Sequence, residues 1–357
     1  MEAQEILQDI VFVILYGGVI MLNVVAALYL LLRRGNAIAP EITSPVRLRR
    51  WAAAFMVAMA LSHIFWIFYA YHSSPTVYVI VCGLDLLFLL PTISGVLLSM
   101  LQDRQRIVWP MLILLIPAFV IMSLCIIRGG DALFMLGSIY VYALYALMTL
   151  YMFFAVRRYR RWLRDNYADL ENKEIWQSLL ILAVFLLFFI MYSSASEGSV
   201  VLVYLLQIDS IIIVGLLLWR VETLQQLSES APSPEASAPT TATPTKIGTL
   251  LKKHCEDKRL YLQNDLSLAQ LANAIGTNRT YLSRHFAQQG ITYNAYINGL
   301  RIRHFIRLYQ EAVAEQRIFT AQQLAFESGY HSYSSFSAAF KQYTGKTVTA
   351  WIHDAQK

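Results

Sequence analysis

The sequence contains few charged residues and few cysteines for its length. Only 15% of its 357 residues are Asp, Glu, Lys or Arg, whereas 57% are hydrophobic and the mean hydropathy is +0.48. A single soluble domain would need more charge to cover its surface, so this balance excludes that class of protein. The three cysteines, Cys82, Cys125 and Cys255, form no CxxC motif. Neither a disulfide framework nor a zinc site is predicted.

Motifs of the common enzyme classes are also missing from the sequence. It has no P-loop, no kinase or receiver signature, no HExxH and no GxSxG. The apolar stretches lack the paired catalytic groups that a membrane hydrolase needs. No lysine precedes Lys173, which excludes a retinal Schiff base in that part of the chain. We predict neither enzymatic activity nor a cofactor.

Seven long apolar stretches occupy the first two thirds of the chain. Each is long enough to cross a hydrocarbon core of roughly 30 Å at about 1.5 Å per residue. They cover residues 10–32, 51–71, 77–101, 107–127, 132–156, 175–194 and 199–219. One such stretch could be a buried helix of a soluble protein, but seven in succession predict a transmembrane bundle over residues 1–222.

Lys and Arg are concentrated in alternate connections between these stretches. Positively charged connections are retained in the cytoplasm. The connections after the first, third and fifth stretches contain Arg33, Arg34, Arg47, Arg49, Arg50, Arg104, Arg106, Arg157, Arg158, Arg160, Arg161, Arg164 and Lys173, whereas the opposite side has only Arg128. The N-terminus is therefore expected outside the cytoplasm. An odd number of spans then places the C-terminal part inside it.

A segment rich in Pro, Ser, Ala and Thr separates the last apolar stretch from the rest of the chain. Its sequence, SESAPSPEASAPTTATPT, cannot bury a core. We predict a linker over residues 223–246, which would span roughly 25 Å as a coil. The soluble domain beyond it, residues 247–357, is basic, with 14 Lys and Arg against 7 Asp and Glu from Lys246 onward. That charge favours an anionic partner.

One helical pattern occurs twice in this basic domain. Leu271, Ala272, Gly276, Leu282 and Phe286 are echoed by Leu324, Ala325, Gly329, Phe336 and Phe340. Ser267 and Thr320 are suited to cap the first helix of each copy, and each glycine can supply a positive φ at a sharp turn. The pattern predicts two helix-turn-helix motifs and, with the bundle, an all-α fold.

A long helix is predicted between the two copies. Residues 293–315 have helical periodicity and would form a helix about 33 Å long. This length is close to one turn of B-DNA, so that two recognition helices could enter successive major grooves on one face of a duplex.

These residues resemble the AraC/XylS family of bacterial transcription regulators. The resemblance covers about residues 262–352 and rests on SLAQLANAIGTNRTYLSRHF, on Gly290, Tyr296 and Arg301-Ile302-Arg303, and on QLAFESGYHSYSSFSAAFKQYTG. It implies recognition helices at residues 278–287 and 332–343. The residues expected to face DNA are Arg279, Thr280, Ser283 and Arg284 in the first, and Tyr333, Ser334, Ser337 and Lys341 in the second. The sequence departs from the family at Ala338, where Arg is usual, and at Val348, where Pro is usual.

The chemistry of these side chains agrees with the resemblance. Arg284 can offer a bidentate pair of donors to guanine, whereas Arg279 and Lys341 suit phosphate contacts. Ser and Thr can bind either bases or phosphates. The alternative for each of them is a solvated surface residue without a DNA contact.

Three ionisable residues lie within the apolar stretches, where charge is costly and points to a function. By helical rise, His63, Asp85 and Asp209 lie at similar depths below the outer surface. They are predicted to form one cluster that binds a small, cationic ligand, with Tyr142 and Tyr145 as neighbours. The alternatives are interhelical hydrogen bonds without a ligand, and a metal site, which the missing ligand spacing disfavours.

The sequence thus predicts a regulator embedded in the bacterial inner membrane, which binds double-stranded promoter DNA and senses a small molecule or a membrane protein through its bundle. A homodimer is compatible with this, although a monomer already has two recognition helices. The rival interpretations are a transporter or receptor with a regulatory cytoplasmic domain, and a basic domain that binds only protein or lipid. The basic and then acidic residues 157–173 are expected at anionic lipid headgroups. A contact of this segment with the DNA-binding domain is the alternative, which nothing in the sequence requires.

Overall fold

The computed structural model describes residues 8–355, except 34, 73, 105, 129–130, 171–172, 174–175, 196–199 and 228–243. Within these residues the regular structure is helical and no strand forms, which confirms the predicted all-α class. The chain divides into two compact units. Unit 1 comprises Met1–Tyr159 and Ile175–Leu227, and unit 2 comprises Arg160–Glu174 and Ser228–Lys357.

Helices form at all seven predicted apolar stretches of unit 1. They are α1 (Ile10–Leu32), α2 (Val46–Tyr71), α3 (Pro75–Met100), α4 (Trp109–Arg128), α5 (Asp131–Asn166), α6 (Trp176–Ala195) and α7 (Val200–Thr223). By length and composition, six of them could cross a membrane; in α6 the apolar stretch found among the described residues, Gln177–Phe188, is shorter. Helix α5 continues well past its predicted end at residue 156.

The helices of unit 1 expose large apolar side chains and bury polar ones. Leu32 and Ile127 are each 78% exposed, whereas Asn23 and Ser94 are fully buried. The Asn23 amide nitrogen and the Ser94 hydroxyl donate to carbonyl oxygens of their own helices, Val19 O (2.9 Å) and Leu90 O (2.6 Å). Helices with an apolar exterior and donors that bond within the helix are stabilised by lipid and not by water.

The end of α7 is fixed to the connection between α1 and α2. The Glu222 carboxylate accepts hydrogen bonds from the backbone N–H groups of Ala37 (3.0 Å) and Ile38 (2.7 Å). Three residues after α7, the Gln226 N–H donates to Thr43 O at 2.7 Å. The bundle therefore holds the chain as far as Gln226, which includes the first residues of the predicted linker. Most of that linker, residues 228–243, lies outside the described residues.

Unit 2 contains the two predicted helix-turn-helix motifs. Its helices are α8 (Pro244–Leu251), α9 (Leu268–Ala274), α10 (Arg279–Gln288), α11 (Tyr293–Ala314), α12 (Ala321–Glu327), α13 (Tyr333–Thr344) and α14 (Val348–Ala355). A π-helical turn, Lys252–Glu256, and a 3₁₀ turn, Leu260–Leu262, lie between α8 and α9. Helix α11 joins the pairs α9–α10 and α12–α13 and supplies Ile297 to the core of the first and Phe305 to the core of the second.

A buried arginine on α11 connects the two halves of this domain. Arg301 is 0% exposed, and its guanidinium donates to the carbonyl oxygens of Tyr261 (2.7 Å), Gln263 (2.6 Å) and Asn264 (3.0 Å). Its Cζ lies 5.4 Å from the ring centroid of Tyr330, in the second half. Burial lowers the pKa of the Arg301 guanidinium from its usual value. The carbonyl oxygens and the ring compensate its charge at the junction of the two halves.

The turn of the second motif also contacts the first half. Gly329 has a φ of +88°, and a Cβ at this position would lie 2.7 Å from the Cα and the carbonyl oxygen of Leu262. Gly276, in the turn of the first motif, has a similar φ of +72°, but no atom lies within 4 Å of its Cβ position. Both predicted turn glycines are confirmed, and Gly329 has a second role as a close contact.

Gly329→Ala should therefore destabilise unit 2 more than Gly276→Ala does. Positive φ alone costs an alanine about 1–2 kcal/mol at either position. At Gly329 the backbone of Leu262 must also shift, so we expect about twice that loss or more.

The Cys255 thiol can report this unfolding in the full-length protein. Its side chain is fully buried, and burial raises its pKa to about 12, so it should resist alkylation until the domain opens. Alkylation of Cys255 during a urea titration, read by peptide mass mapping, gives the unfolding midpoint of each variant. Equal midpoints for the two glycine variants would contradict the contact with Leu262.

Candidate DNA-binding surface and bundle cavity

The first helix-turn-helix motif is formed by short-range capping and a small core. The Ser267 hydroxyl accepts from the Gln270 N–H at 3.3 Å, and the Gln270 side chain accepts from the Ser267 N–H at 2.8 Å, which completes a capping box. The Asn278 side chain caps α10 by accepting from the Thr280 N–H at 2.7 Å. Leu282 and Phe286 on α10 are buried. The inner face of α10 is thereby fixed, and its other face is presented outward.

The second motif repeats this construction. Thr320 and Gln323 form the capping box of α12, and Ser332 caps α13 through the Ser335 N–H at 3.2 Å. Phe336 and Phe340 are fully buried and anchor α13. Both predicted caps, Ser267 and Thr320, are confirmed. Each predicted recognition helix starts one residue later in the structure, because its first predicted residue serves as the cap.

Most of the residues predicted to face DNA lie on the outer faces of α10 and α13. The exposed residues are Arg279, Thr280, Arg284, Ser334 and Lys341, and Ser283, Tyr333 and Ser337 are partly buried. The ring of Tyr333 packs on Phe336 with a centroid distance of 5.7 Å, so this side chain also belongs to the core. The two helices thus differ in charge, because α10 presents two arginines and α13 one lysine.

The two departures from the AraC/XylS pattern have different structural consequences. Ala338 is exposed on α13, where an arginine would have added a second positive charge. Val348 is 2% exposed and joins the core of the second half, at the first position of α14, where proline is favourable. The first departure therefore affects the outer surface of α13, and the second replaces one apolar core residue with another.

A segment from outside the C-terminal domain contacts both recognition helices. We call residues 160–173 the α5 extension; 160–170 and 173 are described. Asn166 Oδ1 accepts from Arg279 Nε at 2.9 Å, and the Arg279 guanidinium lies 6.0 Å from the Trp162 ring centroid. Asp169 Oδ1 accepts from the Ser335 hydroxyl at 3.1 Å. This segment was expected at lipid headgroups, with a contact to the DNA-binding domain as the alternative, and its contacts with α10 and α13 match that alternative.

The α5 extension is also packed into the domain by its backbone. The Asn294 side chain on α11 donates to Ala168 O at 2.6 Å, and the Ala168 N–H donates to Leu266 O at 3.4 Å. Ala168 is 2% exposed and belongs to the core of the first half. Lys173 Nζ lies 3.2 Å from an Asp265 carboxylate oxygen. The extension is therefore part of unit 2, although the chain reaches it through α5.

Unit 1 contains a cavity of about 630 Å³ between its helices. Two of the three predicted ligand-binding residues, His63 and Asp85, line this cavity, as do the predicted neighbours Tyr142 and Tyr145. Asp85 Oδ2 accepts from the Trp66 indole N–H at 2.7 Å, and a His63 ring nitrogen lies 3.2 Å from Gln207 Oε1. A cavity of this size is typical of small-molecule sites.

Asp209 does not line this cavity, contrary to the prediction of one cluster. The lining residues of α7 are Val203, Leu206, Gln207 and Ser210. Their spacing defines one face of a helix, and at about 100° per residue Asp209 falls to the side of that face. Its carboxylate is buried elsewhere, with a relative exposure of 6%. The prediction rested on depth along the helices and did not include rotation about the α7 axis.

Sequence reasoning also missed a group of aromatic rings beside Asp85. Trp66, Tyr69 and Tyr78 all line the cavity, and their pairwise ring centroids lie between 5.5 and 5.9 Å apart. The i, i+3 spacing of His63, Trp66 and Tyr69 on α2 could have indicated this face. Among the described residues, no group of His, Cys, Asp and Glu is arranged to hold a metal ion.

Comparison with known proteins concerns the C-terminal part. Residues 271–354 match a family model described as a helix-turn-helix domain. Uncharacterized HTH-type transcriptional regulators of Staphylococcus aureus are similar to this region, one of strain MRSA252 with 31% identity and one of strain COL with 30% identity, each over 101 residues. The match covers 28% of this chain and 13% of each relative. No solved structure matches. The C-terminal part of this chain is thus a helix-turn-helix domain of the AraC type.

Proposed function

We propose that this chain is a transcription regulator that remains in the membrane, binds promoter DNA through α10 and α13, and is controlled by a signal sensed in or through the bundle of α1–α7. One observation carries this proposal: six helices apolar and long enough to span a bilayer share a chain with a domain that has two recognition helices. The proposed division is a sensor over residues 1–222, a linker over 223–246 and a DNA-binding domain over 247–357. No enzymatic activity is proposed.

The geometry of unit 2 supports the DNA-binding step. Helix α11 has 22 residues and is about 33 Å long, which suits two recognition helices in successive major grooves. Arg301 and Gly329 tie the two halves together, so the helices can bind as one preorganised surface. A monomer can then occupy two grooves, and the proposal requires no homodimer.

The distribution of charge supports a cytoplasmic position for this domain. The connections on one side of the bundle contain almost all of its Lys and Arg, which favours their retention in the cytoplasm. If all seven apolar stretches cross the membrane, as the sequence predicts, unit 2 lies on that side, in the compartment that contains the chromosome. The proposed location is the inner membrane of a bacterium, with the N-terminus outside the cytoplasm.

A transporter with a regulatory domain is less well supported. Transporters commonly use helices broken at Gly or Pro near the middle of the membrane. Pro91 and Pro117 are the residues that could break a helix here, yet α3 and α4 continue through them. The bundle therefore fits a signal-binding role better than alternating access.

Arg284→Ala should weaken binding to a target promoter by about 1–3 kcal/mol, because an arginine in the major groove offers two donors to one guanine. The measurement is a titration of the purified full-length protein with a promoter fragment recovered by chromatin immunoprecipitation. Arg317→Ala is the matched control, since it removes the same charge from an exposed position outside α10 and α13. The two variants should bind non-specific DNA with similar affinities. If Arg284→Ala and Arg317→Ala bound the promoter equally well, the assignment of α10 would be wrong.

A further inference from the structure

The lining of the bundle cavity has an unusual combination of charge and aromatic surface. Among its described residues Asp85 is the one with a formal charge, and no Lys or Arg is present. Eleven of the lining residues are Phe, Tyr or Trp. A negative group amid ring faces attracts cations and repels anions, and aromatic rings bind ammonium-type ions through their negative faces.

The most favourable position for a cation is next to Trp66. This indole donates to Asp85, and its ring stands edge-on to Tyr69 and Tyr78, at interplanar angles of 84° and 75°. The three rings thus pack at steep angles to one another beside the carboxylate. Aromatic surface next to a carboxylate suits an ion with little hydration, such as a quaternary ammonium or phosphonium group. The remaining lining is mainly apolar and would contact the rest of the molecule.

We propose that this cavity binds a hydrophobic organic cation, which is held by Asp85 and the rings of Trp66, Tyr69 and Tyr78. This inference deepens the proposed function, because it gives the chemical class of the signal. Binding to the cavity can nevertheless be measured without DNA, so that either proposal can fail while the other holds.

Tetraphenylphosphonium and tetraphenylborate are matched probes, since they have nearly the same size and opposite charge. The full-length protein in nanodiscs, with empty nanodiscs subtracted, should bind the phosphonium saturably and should show no saturable binding of the borate. Asp85→Asn keeps the size of the side chain and an oxygen for Trp66 but removes the charge. It should lower affinity for the phosphonium about tenfold or more.

Asp209→Asn is the control variant, because it removes a buried carboxylate of the same bundle that does not line the cavity. It should leave affinity unchanged. Trp66→Phe should lower affinity for the phosphonium several-fold. It is the test variant to use if Asp85→Asn does not fold. Saturable binding of the borate, no saturable binding of the phosphonium, or equal effects of Asp85→Asn and Asp209→Asn would each overturn the proposal.

A second inference rests on the α5 extension, an independent observation within unit 2. Each of the two hydrogen bonds described above between this extension and the recognition helices uses an oxygen acceptor: the amide oxygen of Asn166 accepts from Arg279, and the carboxylate of Asp169 accepts from Ser335. A DNA phosphate would present the same chemistry to the same donors. We infer that the α5 extension competes with DNA for the recognition helices and holds the domain in a state of low affinity.

Asn166→Ala tests this competition, because Asn166 lies outside the predicted DNA surface and its side chain engages Arg279. The variant should bind the target promoter several-fold more tightly than the original protein. Arg158→Ala is a control on the same helix, since this exposed residue precedes the α5 extension, and it should not increase affinity. An unchanged or lower affinity of Asn166→Ala would contradict the inference.

The double variant separates this inference from the proposed function on which it rests. If Arg279→Ala alone does not weaken DNA binding, the assignment of Arg279 to the DNA surface is wrong. If it does, adding Asn166→Ala to Arg279→Ala should give much less gain than Asn166→Ala gives alone, because the two side chains act as a pair. Equal gains in both backgrounds would show that Asn166 does not act through Arg279.

Discussion

The apolar exterior of α1–α7 is the constraint on which the rest of this molecule depends. Its large hydrophobic side chains point outward, and polar groups such as those of Asn23 and Ser94 donate to carbonyl oxygens of their own helices, which suits a lipid environment. Under the proposed function, the DNA-binding domain of the same chain works at the membrane surface, within the reach of the predicted linker. Its encounter with DNA then depends on which part of the chromosome comes near, because a tether sets the local concentration.

Within unit 2, a single buried charge, that of Arg301, contacts both halves of the domain. Arg301 bonds to the carbonyl groups of Tyr261, Gln263 and Asn264 and faces the Tyr330 ring, while Gly329 allows the halves to approach closely. Helix α5 adds a connection of another kind. The same helix contains Tyr142, which lines the cavity of unit 1, and Asn166, which contacts α10 in unit 2.

Much of the fold could be predicted because it depends on local patterns. Apolar runs locate the seven helices, and the spacing of Leu271, Gly276 and Phe286 with its repeat locates the two motifs. The exposed positions of Arg279 and Arg284 agree with what the resemblance to the AraC/XylS family implied. Contacts between distant segments could not be predicted in this way. Asp209 was predicted to join the cluster from its depth alone, but its position around the α7 axis turns it away from the cavity. The packing of Ala168 depends on the fit between two surfaces, which the sequence of a single helix does not reveal.

The most direct test of the central claim compares DNA binding by membrane vesicles of opposite sidedness. Inside-out vesicles that contain the full-length protein should bind labelled promoter DNA saturably, and binding should fall steeply as salt is raised, as phosphate contacts require. Right-side-out vesicles should bind none until they are opened. Binding by intact right-side-out vesicles, or none by inside-out vesicles that contain the folded protein, would contradict the account.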